Sequence, residues 1–106
     1  MFDEILQTVK VWLTTMQLQY TDITVTKISH TPHGLTVHME SGRYIAQLNV
    51  SEPDFRPYRY AEFYILDAEK EIDSPPAYLF QEKDGDSVQD IIDGLTAGIH
   101  LMAGDT

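Results

Sequence analysis

The chain has 106 residues, enough for one hydrophobic core and too few for two, so a single domain over residues 1–106 is expected. At 42% hydrophobic and 23% charged it has globular composition, and the absence of cysteine excludes disulfides, thiolate nucleophiles and cysteine-held metal centres. A formal net charge of −10 opposes contact with nucleic acid or anionic lipid and favours a basic partner.

In residues 2–19, Phe2, Ile5, Leu6, Val9, Leu13 and Met16 recur mostly three and four apart, the pattern of a helix with one buried face. Asp3 and Glu4 fall in its first turn, where the helix dipole favours acids. Trp12 borders the stripe and reads as core. The segment lacks a basic leader and an unbroken apolar run, so it does not read as a signal peptide. No apolar run approaches the roughly 20 residues that cross a bilayer, and the expected location is the cytoplasm.

The period then changes from helical to alternating. Ile23 and Val25 alternate with Asp22, Thr24 and Thr26, which predicts a first strand, and Thr31, Pro32, His33 and Gly34 supply a turn. Leu35, Val37 and Met39 alternate with Thr36, His38 and Glu40. After Ser41 and Gly42, the residues Tyr44, Ala46, Leu48 and Val50 alternate with Ile45, Gln47 and Asn49, predicting an antiparallel pair of strands. Pro53 and Pro57 remove ladder donors, so residues 52–57 read as a loop. Residues 60–67 read as a fourth strand, 68–76 as a charged turn, and 77–81 as a short fifth strand. Asp86 and Gln89 have capping-box spacing, and Val88, Ile91, Ile92, Leu95, Ile99 and Met102 form a last helical stripe that ends before Gly104. The expected fold is α+β: an N-terminal helix, a four- to five-stranded, mostly antiparallel sheet and a C-terminal helix, with both helices on one sheet face. Gly94 and Gly98 weaken the last helix by about 1 kcal/mol each relative to alanine, which calls for a compensating close approach to the first helix or the sheet, or for a self-association seam.

No cofactor is expected. His30, His33, His38 and Glu40 use metal-ligand residue types at no recognised spacing, and Asp84 and Asp86 around Gly85 lack the remainder of a calcium loop. Pairs such as Glu62 with Asp67 or His38 with Glu40 are unspecific, and there is no nucleophile elbow and no glycine-rich phosphate loop, so the chain reads as a binder rather than an enzyme. Its acids are uneven: residues 62–93 hold ten against Lys70 and Lys83, a balance of −8, whereas residues 1–61 carry six acids and five bases. Such an asymmetry either steers a basic partner or serves solubility. Phe55, Arg56, Pro57, Tyr58, Arg59 and Tyr60 interleave aromatics with arginines, the material of nucleic-acid stacking or of a protein-binding hot spot; the net charge weighs against the first, and a packed loop beside an edge strand is an equal reading to the second.

The run Met39-Glu40-Ser41-Gly42-Arg43-Tyr44-Ile45-Ala46-Gln47-Leu48-Asn49-Val50, followed by Ala61-Glu62-Phe63-Tyr64-Ile65-Leu66-Asp67, resembles small bacterial immunity proteins of polymorphic-toxin and contact-dependent growth inhibition systems. The likeness covers the pattern of residues 35–100 and departs from it after the third strand, where Ser51, Glu52, Pro53 and Asp54 replace the usual tryptophan-acid-glycine turn. It implies a cytoplasmic protein that binds a cognate toxin domain, often a basic nuclease, and blocks it. On that reading the partner-binding residues are Asp67, Glu69, Glu71, Asp73, Glu82, Asp84, Asp86, Asp90 and Asp93, with Tyr58, Tyr60 and Tyr64 as anchors. The alternatives are a phage- or plasmid-encoded acidic inhibitor that mimics DNA, and a small enzyme of unknown reaction.

Overall fold

The computed structural model describes residues 2–52, 60–71 and 73–104. Helix α1 (Phe2–Gln19) is followed by β1 (Thr24–Thr31), β2 (Gly34–Ser41), β3 (Tyr44–Ser51), β4 (Ala61–Asp67), β5 (Tyr78–Gln81) and α2 (Val88–Ala103). The strands form one antiparallel sheet in the order β1-β2-β3-β4-β5, so neighbours in the chain are neighbours in space. The α+β architecture expected from the sequence is the one found.

Alternation decides which face of the sheet is covered. Val37, Met39, Leu48, Val50, Phe63 and Ile65 lie fully buried beneath the helices, joined by Ile5, Val9, Ile91 and Leu95 from α1 and α2. Trp12 belongs to this layer as expected, half-buried, and its indole N–H donates to Thr96 Oγ1 at 3.1 Å, tying α1 to α2.

The first strand runs on to Thr31, five residues beyond the predicted alternation. A bulge between Val25 and Lys27 is the reason. The extra residue puts Val25 opposite Met39 and Ile28 opposite Val37, three apart yet on the same face, which breaks the two-residue period that sequence reading depends on. The β2–β3 turn is tight, with Gly42 at φ +56° ahead of Arg43, the glycine-first arrangement of a II′ hairpin.

The cap of α2 also differs from expectation by one residue. Ser87, not Asp86, is the N-cap: its hydroxyl accepts from the Asp90 N–H at 3.0 Å while Asp90 Oδ2 accepts from the Ser87 N–H at 2.9 Å. Asp86 instead closes the preceding turn by accepting from the Lys83 N–H at 2.9 Å. The Ser87 backbone N–H, then its hydroxyl, hold the Asp90 carboxyl below its ordinary pKa. A depressed folded-state pKa contributes stability that is present above the unfolded value and lost as pH falls through the folded one. Loss of the N-cap hydroxyl in Ser87→Ala is expected to cost about 1 kcal/mol at neutral pH, read from urea unfolding. The difference from the parent should narrow as pH falls and Asp90 is protonated.

The two glycines of α2 face the sheet, not α1. A Cβ at Gly98 would stand 2.6 Å from Phe63 Cε2, and one at Gly94 would meet the Phe80 ring. Tyr78 completes this seam by donating its hydroxyl to the Gly94 carbonyl at 2.6 Å. Burial of that phenol raises its pKa.

Candidate functional site

Both helices lie on one side, so the opposite face of the sheet is open. The pairing registers arrange its side chains in rows across the strands. One row runs Ser29, Thr36, Asn49, Glu62, Gln81; the next runs Lys27, His38, Gln47, Tyr64, Leu79; the last runs Thr24, Glu40, Ile45, Leu66. The middle of this face is a hydrogen-bonded layer. Thr36 Oγ1 and Gln47 Nε2 both donate to Asn49 Oδ1, at 3.1 and 3.0 Å, and Tyr64 OH donates to Gln47 Oε1 at 2.9 Å. Gln81 Nε2 donates to Glu62 Oε2 at 2.6 Å. Such a network holds polar side chains in fixed positions without burying an unsatisfied group.

The two ends of the face differ in chemistry. Beside the β1–β2 turn lies a neutral depression of about 400 Å³ lined by Ser29, Thr31, His33, Thr36, Asn49 and Ser51. At the other end Ile45, Leu66 and Leu79 are 47%, 42% and 52% exposed, high values for aliphatic side chains grouped on a sheet. Ile45 and Leu66 form the floor of a depression of about 330 Å³ whose walls are the β4–β5 connection, with Lys70, Glu71, Ser74 and Pro75. Glu40 lies directly opposite Ile45 in the ladder, so carboxylates flank the apolar floor on two sides.

The acids singled out by sequence divide into different environments. Asp67 has a nearly buried side chain, 3.1 Å from Arg43 Nε, and its Oδ1 accepts from the Glu69 N–H at 2.9 Å, so it organises the turn. Glu69 sits 3.6 Å from Arg43 and is exposed, as are Glu71 and Asp73. Arg43 itself is held above its usual pKa by its hydrogen bond with Tyr44 and by the Asp67 charge. Asp84, Asp90 and Asp93 are exposed and Asp86 is half-buried, around the start of α2. Glu82, by contrast, is only 2% exposed. Its Oε1 accepts the N–H groups of Tyr60 and Ala61, which removes it from any surface contact.

Because β4 ends at Asp67 and Glu82 pairs back to Ala61, the 67–73 and 84–93 acids occupy opposite ends of the β4–β5 pair, roughly 20 Å apart. They do not make one continuous patch. The tyrosines divide as well. Tyr64 lies on the open face, Tyr60 packs towards α1 with its ring 6.2 Å from Phe2, and Tyr58 lies outside the described residues. Among the described residues no group of three or more His, Asp or Glu side chains is gathered as a metal cage, and no helix is long and apolar enough to cross a membrane.

Sequence reasoning missed Ile45, Leu66 and Leu79. Their signal was present, since each stands at a polar position of its strand's alternation, but it becomes a patch only once the registers bring β3, β4 and β5 together. Comparison of the chain with protein-family models, with curated proteins and with solved structures finds no match.

Proposed function

We propose that the chain is a binding protein of the immunity type, which neutralises a cognate basic toxin domain, in the first place a nuclease, by docking on the acid-bordered end of its open sheet face. The observation that supports this most is the exposed Ile45 and Leu66 pair, with Leu79 exposed on the neighbouring strand, bordered by Glu40 across the ladder and by Glu71 in the wall, with Glu69 and Asp73 exposed in the same β4–β5 connection. Protein hot spots combine a desolvated apolar centre with a polar rim, and here the rim sets the acids Glu40, Asp67 and Glu71 against Lys70. Carboxylates placed around the centre accelerate encounter with a cationic surface and take positions that a substrate's phosphates would otherwise fill.

The test is capture of the partner from the native host, followed by assay of its activity with and without this chain. A basic protein whose activity is blocked is the expected result. The double reversal Glu69→Lys with Glu71→Lys should then weaken binding by about tenfold or more, mostly through slower and more salt-sensitive association. The reversal Asp84→Lys with Asp86→Lys, at the far end of β5, should have the smaller effect. A partner that carries no basic surface, or equal effects of the two reversals, would sink this reading.

A further inference from the structure

Among the described residues the ion pairs are those of Arg43 with Asp67 and Glu69, at the end of the open sheet face where Ile45 and Leu66 are exposed. Two further carboxylates border that floor. Glu40 stands opposite Ile45 in the β2–β3 ladder, and Glu71 lines the depression of about 330 Å³ that Ile45 and Leu66 floor. Both are exposed and take part in neither ion pair. Lys70, in the same wall, is paired with neither of them.

On the binding role proposed above, we infer that this depression receives an arginine side chain of the partner, its methylenes laid across Ile45 and Leu66 and its guanidinium against Glu71, with Glu40 adding to the negative field. Charge selects a cation. Glu40, Asp67, Glu69, Glu71 and Asp73 belong to this end of the sheet and the connection beside it, against Arg43 and Lys70. A purely apolar side chain would strip water from the carboxylates at its margin and give them no counter-charge. A compact cation would leave the floor wet.

A long cationic side chain meets both requirements, because its stem lies along apolar surface while its head stays with the charges. Ile45 and Leu66 are directly opposed on neighbouring strands, about 4.8 Å apart, a width that the methylenes of an arginine cover. Arginine suits the place better than lysine, since a guanidinium is the more weakly hydrated head and meets a carboxylate through parallel N–H bonds. The chain already makes this kind of pair beside the same floor, with Arg43 Nε 3.1 Å from Asp67 Oδ2. That pair leaves Glu71 and Glu40 for an arginine from outside.

NMR titration of the full chain with N-acetyl-arginine methylamide at constant ionic strength tests this. The expected result is saturable shifts of the Ile45, Leu66, Ala68 and Glu71 amides, with a dissociation constant on the order of 10 mM, and much smaller shifts at Asp84 and Asp93 at the other end of β5. Methylguanidinium, which has the head without the stem, and N-acetyl-citrulline methylamide, which has the stem without the charge, should each bind about fivefold more weakly. Glu71→Gln and Ile45→Thr, the latter keeping a β-branched side chain in the strand, should each weaken the arginine probe about threefold, whereas Asp84→Asn should leave it unchanged. Shifts spread evenly over the acids of both ends, methylguanidinium binding as strongly as the arginine probe, or undiminished binding to Glu71→Gln would each overturn the proposal. A probe that does not bind, while a basic partner is still captured and blocked, would overturn the arginine site and leave the proposed function standing.

Discussion

Glu82→Ala should destabilise the protein by about 3 kcal/mol, a large share of what a domain of this size possesses. The carboxylate is buried between the start of β4 and the end of β5, and its Oε1 takes the N–H of Tyr60 and, at 2.9 Å, that of Ala61. Alanine leaves both donors without that acceptor in a place largely closed to water, and an unsatisfied buried donor costs about 1–3 kcal/mol. Glu82→Gln keeps an acceptor oxygen in the same position and should cost clearly less. Urea unfolding gives the energies, and amide exchange at Tyr60 and Ala61 gives the location. Equal losses for the two substitutions would mean that the negative charge, not the acceptor geometry, is what this position requires.

Glu82 also illustrates what sequence reading misses. In the chain it is one more acid in an acidic half, next to Lys83 and Asp84, and nothing in its neighbours marks it as interior. Its role depends on Ala61, twenty-one residues away, arriving beside it through the β4–β5 ladder. Elements built from local periodicity were legible for the opposite reason. The α1 stripe, the alternation of β2, β3 and β4 and the glycine after α2 each signal within a few residues. Where two local signals compete, the boundary slips. Asp86 and Ser87 are both good caps, and only the reciprocal bonds with Asp90 decide for Ser87.

The candidate surface was legible in its charge and not in its shape. Chain order separates the 67–73 acids from the 84–93 acids by the length of β5, a distance that a count of charges does not contain. The apolar floor of Ile45 and Leu66 is a cross-strand pair, and no window along the chain displays both members together. An acidic rim without that floor would serve solubility as well as recognition. The floor is what turns the rim into a proposal about binding.

Gly98→Ala is the second large effect, and its sign sets two principles against each other. Alanine is the better helix former by about 1 kcal/mol, so helix propensity alone predicts a gain. Against this, the added methyl would lie 2.6 and 2.9 Å from two carbons of the Phe63 ring and 3.0 Å from Tyr78 Cδ2. Neither ring yields easily. Phe63 is fully buried in β4 and stands edge-on to Tyr78, with centroids 6.4 Å apart, and Tyr78 is tethered to α2 by its hydrogen bond to Gly94. Overpacking of a filled core costs about 1–3 kcal/mol, and here the backbone of α2 must lift to accommodate it, so a net loss of about 2 kcal/mol is expected, roughly 10 °C in Tm. If the ring contact is the cause, Gly98→Ala combined with Phe63→Leu should lose less than the sum of the two single changes, because the smaller side chain vacates the space that the methyl needs. Gly98→Ala at or above parental stability in thermal unfolding would instead show that α2 rides higher on the sheet, and that the glycine is there for another surface.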